Sequence, residues 1–169
     1  MLRKKTNQNL RWALEFTMNS NFMLAAITEA KAAAKRGEIP VGAVIVKDGN
    51  IIAKGSNRRE EKHSVISHAE IEAIEEACGV LGDWRLDGCE LYVTLEPCPM
   101  CTGAIINSRI STVVFGAYDL RAGSMDSVIN LCDYPYESKP EIYGGIYEDE
   151  CKKLLSDFFK AVRKDEEKD

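Results

Sequence analysis

The segment from Leu91 to Phe115 constrains the fold more than any other. Leu91-Tyr92-Val93-Thr94-Leu95 reads as a buried strand, Met100 to Asn107 as a helix, and Thr112-Val113-Val114-Phe115 as a second strand. Pro99 suits the first turn of that helix, because the N–H it lacks would have no partner there. Strand, helix and strand in this order make a βαβ unit, so at least part of the sheet is expected to be parallel. Upstream, Phe22, Met23, Ala26, Ile27, Ala30, Ala33 and Ala34 recur at helical spacing, and Gly37 is placed to end the helix. Val41 to Val46 and Ile51 to Ala53 flank the turn Asp48-Gly49-Asn50 as a hairpin. A further helix is expected from near His68 to Gly79. A last one opens at Glu148-Asp149-Glu150 and closes at Lys160, Arg163 and Lys164, with Cys151, Leu154, Leu155, Phe158 and Val162 as its apolar stripe. Strands alternating with helices around one core give an α/β layered domain.

Two short motifs stand at expected helix starts: His68-Ala69-Glu70 and Pro97-Cys98-Pro99-Met100-Cys101. One imidazole and two thiolates form a borderline-soft set that suits zinc, and three protein ligands leave a fourth tetrahedral position open to water. Helix N-termini favour thiolate over thiol, which a metal requires. Glu70 is too close to His68 for both to hold one small ion from a helix start. It is read instead as the carboxylate that takes a proton from the water at the open position. Taken alone, the Cys98–Cys101 spacing also suits a redox pair, or a structural zinc completed by Cys89. His63, the other histidine, falls in a polar loop and is expected to be exposed.

Composition narrows the function class. The 169 residues carry a net charge of −5, which on its face argues against a nucleic-acid partner. The charge is unevenly spread, however: residues 1–36 hold seven basic and two acidic side chains, so the remainder is strongly acidic. No apolar run approaches the ~20 residues of a membrane span. Arg3, Lys4 and Lys5 are followed by Thr6-Asn7-Gln8-Asn9, so no signal peptide is expected and the chain is read as cytoplasmic. The expected organisation is an N-terminal appendage over 1–21, with a short helix from Leu10 to Met18, a single domain over 22–164, and an acidic tail over 165–169.

The two motifs together resemble the cytidine deaminase superfamily. Gly37 to Val44, Asn57-Arg58, Thr94-Leu95-Glu96-Pro97-Cys98, Gly103 to Ile106, Val113 to Ala117, and the stretch from Glu150 to Phe159 narrow the resemblance to the bacterial tRNA-specific adenosine deaminases. It covers roughly residues 22 to 164. It implies a three-layer α-β-α fold with a five-stranded mixed sheet flanked by helices, a homodimer, and one zinc ion per subunit held by His68, Cys98 and Cys101. The implied reaction is hydrolytic conversion of adenosine to inosine at the wobble position of a tRNA anticodon stem-loop, acting on a flipped-out base. Glu70 would pass a proton to N1 of the purine and later to the departing ammonia. The Ala69 N–H and the Asn57 side chain would hold the purine edge, between apolar walls from Ile39, Val41 and Leu95. Asp119, Arg121, Asn130, Phe159 and Arg163 are carried over as RNA contacts. Phe159 equally suits core packing, Arg163 a helix C-terminus and Asn130 a local cap. The chain departs from residues many relatives carry at Ser56, Ser64-Val65, Asp126 and Glu137 to Pro140. Two other readings remain open at this point: a deaminase of a free guanine- or cytosine-type base or nucleoside, and a non-catalytic zinc or RNA-binding module.

Overall fold

In a computed structural model, the backbone is described for residues 8–166 and side chains for residues 20–164. The elements follow one another as α1 (Gln8–Lys35), β1 (Gly42–Lys47), β2 (Asn50–Ser56), α2 (Arg59–Lys62), α3 (Ala69–Leu81), β3 (Glu90–Leu95), α4 (Pro99–Asn107), β4 (Thr112–Ala117), a 3-10 turn (Leu131–Asp133), β5 (Glu141–Tyr143) and α5 (Glu148–Glu166). The sheet order is β2-β1-β3-β4-β5. β1 pairs antiparallel with β2 and β3, whereas β3–β4 and β4–β5 are parallel. The expected βαβ unit is therefore β3-α4-β4, and the sheet is mixed and five-stranded.

Alternation along the strands sorts their side chains onto two faces. Ala43, Ile45, Leu91, Val93, Val113 and Phe115 point to one face, packed with Ala69, Ala73 and Ala77 of α3 and Ile105 of α4. Val44, Val46, Tyr92 and Val114 point to the other, against Met23, Ala26 and Ile27 of α1 and Cys151 of α5. These two cores make the three layers, α1/α5, sheet, and α3/α4. Both faces are covered, which is why β1, β3 and β4 read as nearly continuous apolar runs.

Local chemistry sets the boundaries. Gly37, at φ +80, ends α1: its N–H donates to Ala34 O at 3.0 Å, and the Glu38 N–H donates to Ala33 O at 3.1 Å. Asp48 and Gly49 both have positive φ, as a two-residue hairpin turn of the primed type requires.

Four expectations need correction. The helix from Gln8 runs unbroken into the one expected from Phe22, so the separate Leu10–Met18 helix does not occur and the 21/22 boundary falls inside α1. Helix α3 passes Gly79 and stops at Gly82, whose φ is +65. Val162 is 38% exposed, and Leu154, Leu155 and Phe158 are half-buried, so α5 covers the sheet mainly through Cys151 and its first turns. The single-turn α2 was not expected, and β5 supplies the fifth strand that the resemblance implied without placing it. The side chains of 1–19 and of the acidic tail lie outside the described residues.

Candidate active site

Both zinc motifs sit at the ends of elements that converge on one end of the sheet. His68 is the N-cap of α3, with extended backbone (φ −81, ψ 155), and its side chain makes no capping bond. Cys98 occupies the same place before α4, with Pro99 as the first helical residue and Cys101 one turn further in. The ring Nδ1 of His68 lies 3.7 Å from Cys98 Sγ and 3.5 Å from Cys101 Sγ. Tetrahedral zinc with Zn–S of ~2.3 Å and Zn–N of ~2.0–2.1 Å would hold sulfur and nitrogen ~3.5–3.6 Å apart. The donor set and its spacing thus fit zinc. Among the described residues these three side chains are the group whose ligand atoms lie within 4.8 Å of one another, and Cys89 is not part of it. Among the described residues no fourth protein ligand closes the site, as expected of a catalytic rather than a structural zinc. All six cysteines are free thiols.

The electrostatics around these side chains agree with that assignment. Hydrogen bonds from Cys101 and His68 hold the Cys98 thiol down at about 4, against the opposing effect of burial. The bond to Cys98 and burial push the Cys101 thiol upward. His68 is raised, chiefly by its bond to Cys98. Glu70, only 4% exposed, is pushed up to about 7 by burial, partly offset by a backbone hydrogen bond and by His68. A carboxyl that exchanges its proton near neutrality is suited to act as base and then as acid.

A cleft of about 640 Å³ opens over His68, Glu70 and Cys98. Ile39, Val41 and Leu95 form its apolar walls, Asp119 and Arg121 one rim, and Phe159 and Arg163 of α5 the other. Asn57 also lines it. The Asn57 Nδ2 donates to Glu38 Oε2 at 3.4 Å, and its Oδ1 is buried with no hydrogen-bond partner. Because a carboxylate only accepts, Glu38 sets the amide orientation and aims an unsatisfied acceptor into the cleft. Ala69 is fully buried as the first residue of α3, where its N–H has no acceptor within the helix. Asn130 is not brought to the cleft: its Oδ1 accepts from the Cys132 N–H at 3.0 Å, capping the 3-10 turn. His63 is exposed, as expected.

Four residues at the cleft or behind it lack a strong local signal. Arg59 and Tyr118 line it without belonging to a motif. Glu38 and Glu96 are fully buried carboxylates at 1% and 2% exposure. Glu38 accepts from the N–H groups of Glu60 and Glu61, and so holds α2 beside the cleft. Burial pushes Glu96 up, but bonds from Ser127, Asp126 and Asp119 outweigh it and hold the carboxyl below the ordinary range. Both lie within stretches that carry the family resemblance, Gly37 to Val44 and Thr94 to Cys98, but nothing local in either says which N–H groups the acid holds.

Comparison with known proteins agrees with this geometry. Residues 17–117 match the family described as the cytidine and deoxycytidylate deaminase zinc-binding region. The tRNA-specific adenosine deaminase of Bacillus subtilis is 48% identical over 149 residues, covering 88% of this chain and 92% of the relative. This chain belongs to the tRNA-specific adenosine deaminase family. The enzyme of the same description from Aquifex aeolicus is 48% identical, over 84% of this chain and 94% of its own. A solved structure from work on A-to-I editing by tRNA:A34 deaminases superposes with a TM-score of 0.78 at 43% identity, covering 80% of this chain and 99% of that one. The deaminase is thus a zinc-dependent hydrolase of the α-β-α type.

One glycine controls how closely the zinc-bearing helix approaches the sheet. A Cβ on Gly55 of β2 would overlap the Ala69 carbonyl oxygen and come within 2.6 Å of the Ala73 nitrogen. Gly55→Ala is expected to destabilise the protein by about 1–3 kcal/mol, since backbone rather than a flexible side chain must move. Thermal melting with parallel zinc analysis checks this. A melt that matches the parent would show that α3 has room to shift.

Proposed function

We propose that the deaminase converts adenosine to inosine at the wobble position of a tRNA anticodon, releasing ammonia. The observation that carries this reading is Glu70: a buried carboxylate beside a three-ligand zinc site, lining a cleft that also presents Arg121 and Arg163. Zinc held by His68, Cys98 and Cys101 would supply an activated water as nucleophile for C6 of the purine. Glu70 accepts that water's first proton and delivers it to N1, then takes the proton of the new C6 hydroxyl and passes it to the departing amine. Ala69 N–H and Asn57 Oδ1 hold the purine edge, one as donor and one as acceptor. Ile39, Val41 and Leu95 enclose the ring and exclude bulk water. A non-catalytic zinc module would have no use for the Glu70 carboxyl.

Outside the purine pocket, Asp119, Arg121, Phe159 and Arg163 receive the flanking nucleotides of the splayed loop. Leu155, Phe159 and Arg163 recur every fourth residue, so α5 presents them along one face of the cleft. The Asp119 Oδ1 accepts from the Arg121 N–H at 2.9 Å, so Asp119 shapes the rim as well as lining it. Asn130 stays a candidate RNA contact through its amide N–H groups, since its oxygen accepts from the Cys132 N–H. The proposal includes a homodimer, for which exposed Val65 and Ile66 on the loop leading to His68 offer apolar surface. It also places the enzyme in the cytoplasm, in keeping with six reduced cysteines and with no described helix long and apolar enough to cross a membrane.

The experiment is a substrate panel: an anticodon stem-loop with adenosine at the wobble position, assayed beside free adenosine, guanine and cytidine. Turnover of the stem-loop alone supports tRNA editing, and turnover of a small molecule alone moves the activity to nucleobase metabolism. Arg163→Ala should weaken stem-loop binding and flatten the dependence of log Kd on log salt by roughly one unit or slightly less. An unchanged slope would remove the phosphate contact from Arg163.

A further inference from the structure

Glu96 stands between the zinc motif and the cleft rim, and touches both through different atoms. Its main chain joins the end of β3 to Pro97-Cys98, and its N–H donates to Ala117 O at 2.8 Å, at the end of β4. Its side chain turns into the loop that follows β4. Oε1 accepts from the N–H groups of Met125, Asp126 and Ser127 at 3.1, 2.7 and 2.9 Å. Oε2 accepts from the Asp119 N–H at 3.1 Å and from the Ser127 hydroxyl. A carboxylate offers about four lone-pair sites, so these donors saturate it and leave nothing for a substrate.

The loop is shaped to this carboxylate. A Cβ on Gly123 would overlap the Glu96 carboxyl oxygen, so a glycine lets the chain wrap it. A second stitch sits next door, where Ser124 donates its N–H and its hydroxyl to Pro97 O, both at 3.0 Å. The residues so anchored include Asp119, Arg121 and Ala122, which form one rim of the cleft. The far side of the same anchor is the peptide leading directly into the ligand Cys98.

We propose that Glu96 is a positioning residue for substrate recognition: it clamps the 119–127 loop onto the strand that ends in the zinc motif, fixing the RNA-facing rim relative to the metal. The inference rests on the reading of Asp119 and Arg121 as substrate contacts. It deepens that reading by naming what holds them in register. The loop makes an anion nest of successive N–H groups around an internal carboxylate. Replacing one carboxylate oxygen by an amide nitrogen sets donor against donor, at either Asp119 and Ser127 or the three N–H groups on Oε1. The loop must then release at least one end.

The test compares Glu96→Gln, Arg121→Ala and the double variant on the wobble-adenosine stem-loop, with metal analysis of each. For Glu96→Gln the expected KM rise is about tenfold or more, because charge-assisted bonds are replaced by a clash. Turnover at saturation should stay within about threefold, with zinc still at one ion per chain. The KM penalties of the two substitutions should be strongly non-additive, because both act through one loop. A normal KM for Glu96→Gln, or a loss confined to kcat or to zinc, overturns the proposal and leaves Glu96 as support for the fold. Failure of the underlying reading looks different: Arg121→Ala then leaves KM unchanged whatever Glu96→Gln does. If Glu96→Gln does not fold, Ser127→Ala removes one donor from outside the cleft. It should raise KM in the same direction by about twofold to fivefold, and no rise counts against the clamp.

Discussion

Glu70→Gln is expected to lower kcat by about 10²–10⁴-fold while zinc remains bound at one ion per chain. The amide keeps the shape of the side chain and can still accept a hydrogen bond, but it cannot take a proton. Glu70 lies outside the set of ligand atoms, so the metal has no reason to leave. Its burial within the first turn of α3 also makes an isosteric change preferable to truncation, which would leave a void beside the metal. Turnover and metal content must be measured on the same preparation. Loss of zinc from this variant would make Glu70 a ligand, and retention of full turnover would remove it from the proton transfers.

Cys101→Ala is expected to lose both zinc and activity. With one thiolate gone, His68 and Cys98 provide only two donors, too few for a stable zinc site in water. The loss is read as metal per chain falling from one towards zero, and as turnover falling to background. Cys98→Ala should behave alike. Cys89→Ala is the matched control, because Cys89 is a buried core thiol outside the metal group. It should keep its zinc and its turnover, at a modest cost in stability. A Cys101→Ala protein that is fully metallated and active would contradict the ligand assignment.

The zinc ligands were legible because the chemistry demands few residue types at short spacing. His68 and the Cys98–Cys101 pair each sit where a helix begins, and the structure brings their donor atoms within zinc-binding reach. Strands β1, β3 and β4 were legible for a related reason. They are buried on both faces, so nearly every residue is apolar. What could not be read was either short or set by distant partners. The three residues of β5 and the four of α2 are too brief for any period to emerge. The join within α1 was hidden by Asn19-Ser20-Asn21, residues with only modest helix penalties that flanking helical turns override.

The cap made by Asn130 was legible because it is local, its side-chain oxygen accepting from the N–H two residues on. Glu38 and Glu96 were missed for the opposite reason. Their donors come from Asn57, Glu60 and Glu61 in one case, and from Asp119 and Met125 to Ser127 in the other. The departure at Asp126 finds its place in the second set. Its side chain is exposed, but its N–H makes the shortest backbone bond to Glu96, so the substitution leaves the clamp intact.

The central claim is that a zinc-bound cleft reads one adenosine by its place in an RNA loop. Its most direct test places adenosine at the wobble position of an anticodon stem-loop in one substrate and one nucleotide away in another. Each is then assayed for inosine with the zinc-loaded enzyme, with Glu70→Gln as the blank. The account predicts inosine at the wobble position and little at the shifted one. Equal conversion of both, or deamination of free adenosine at the stem-loop rate, would contradict it.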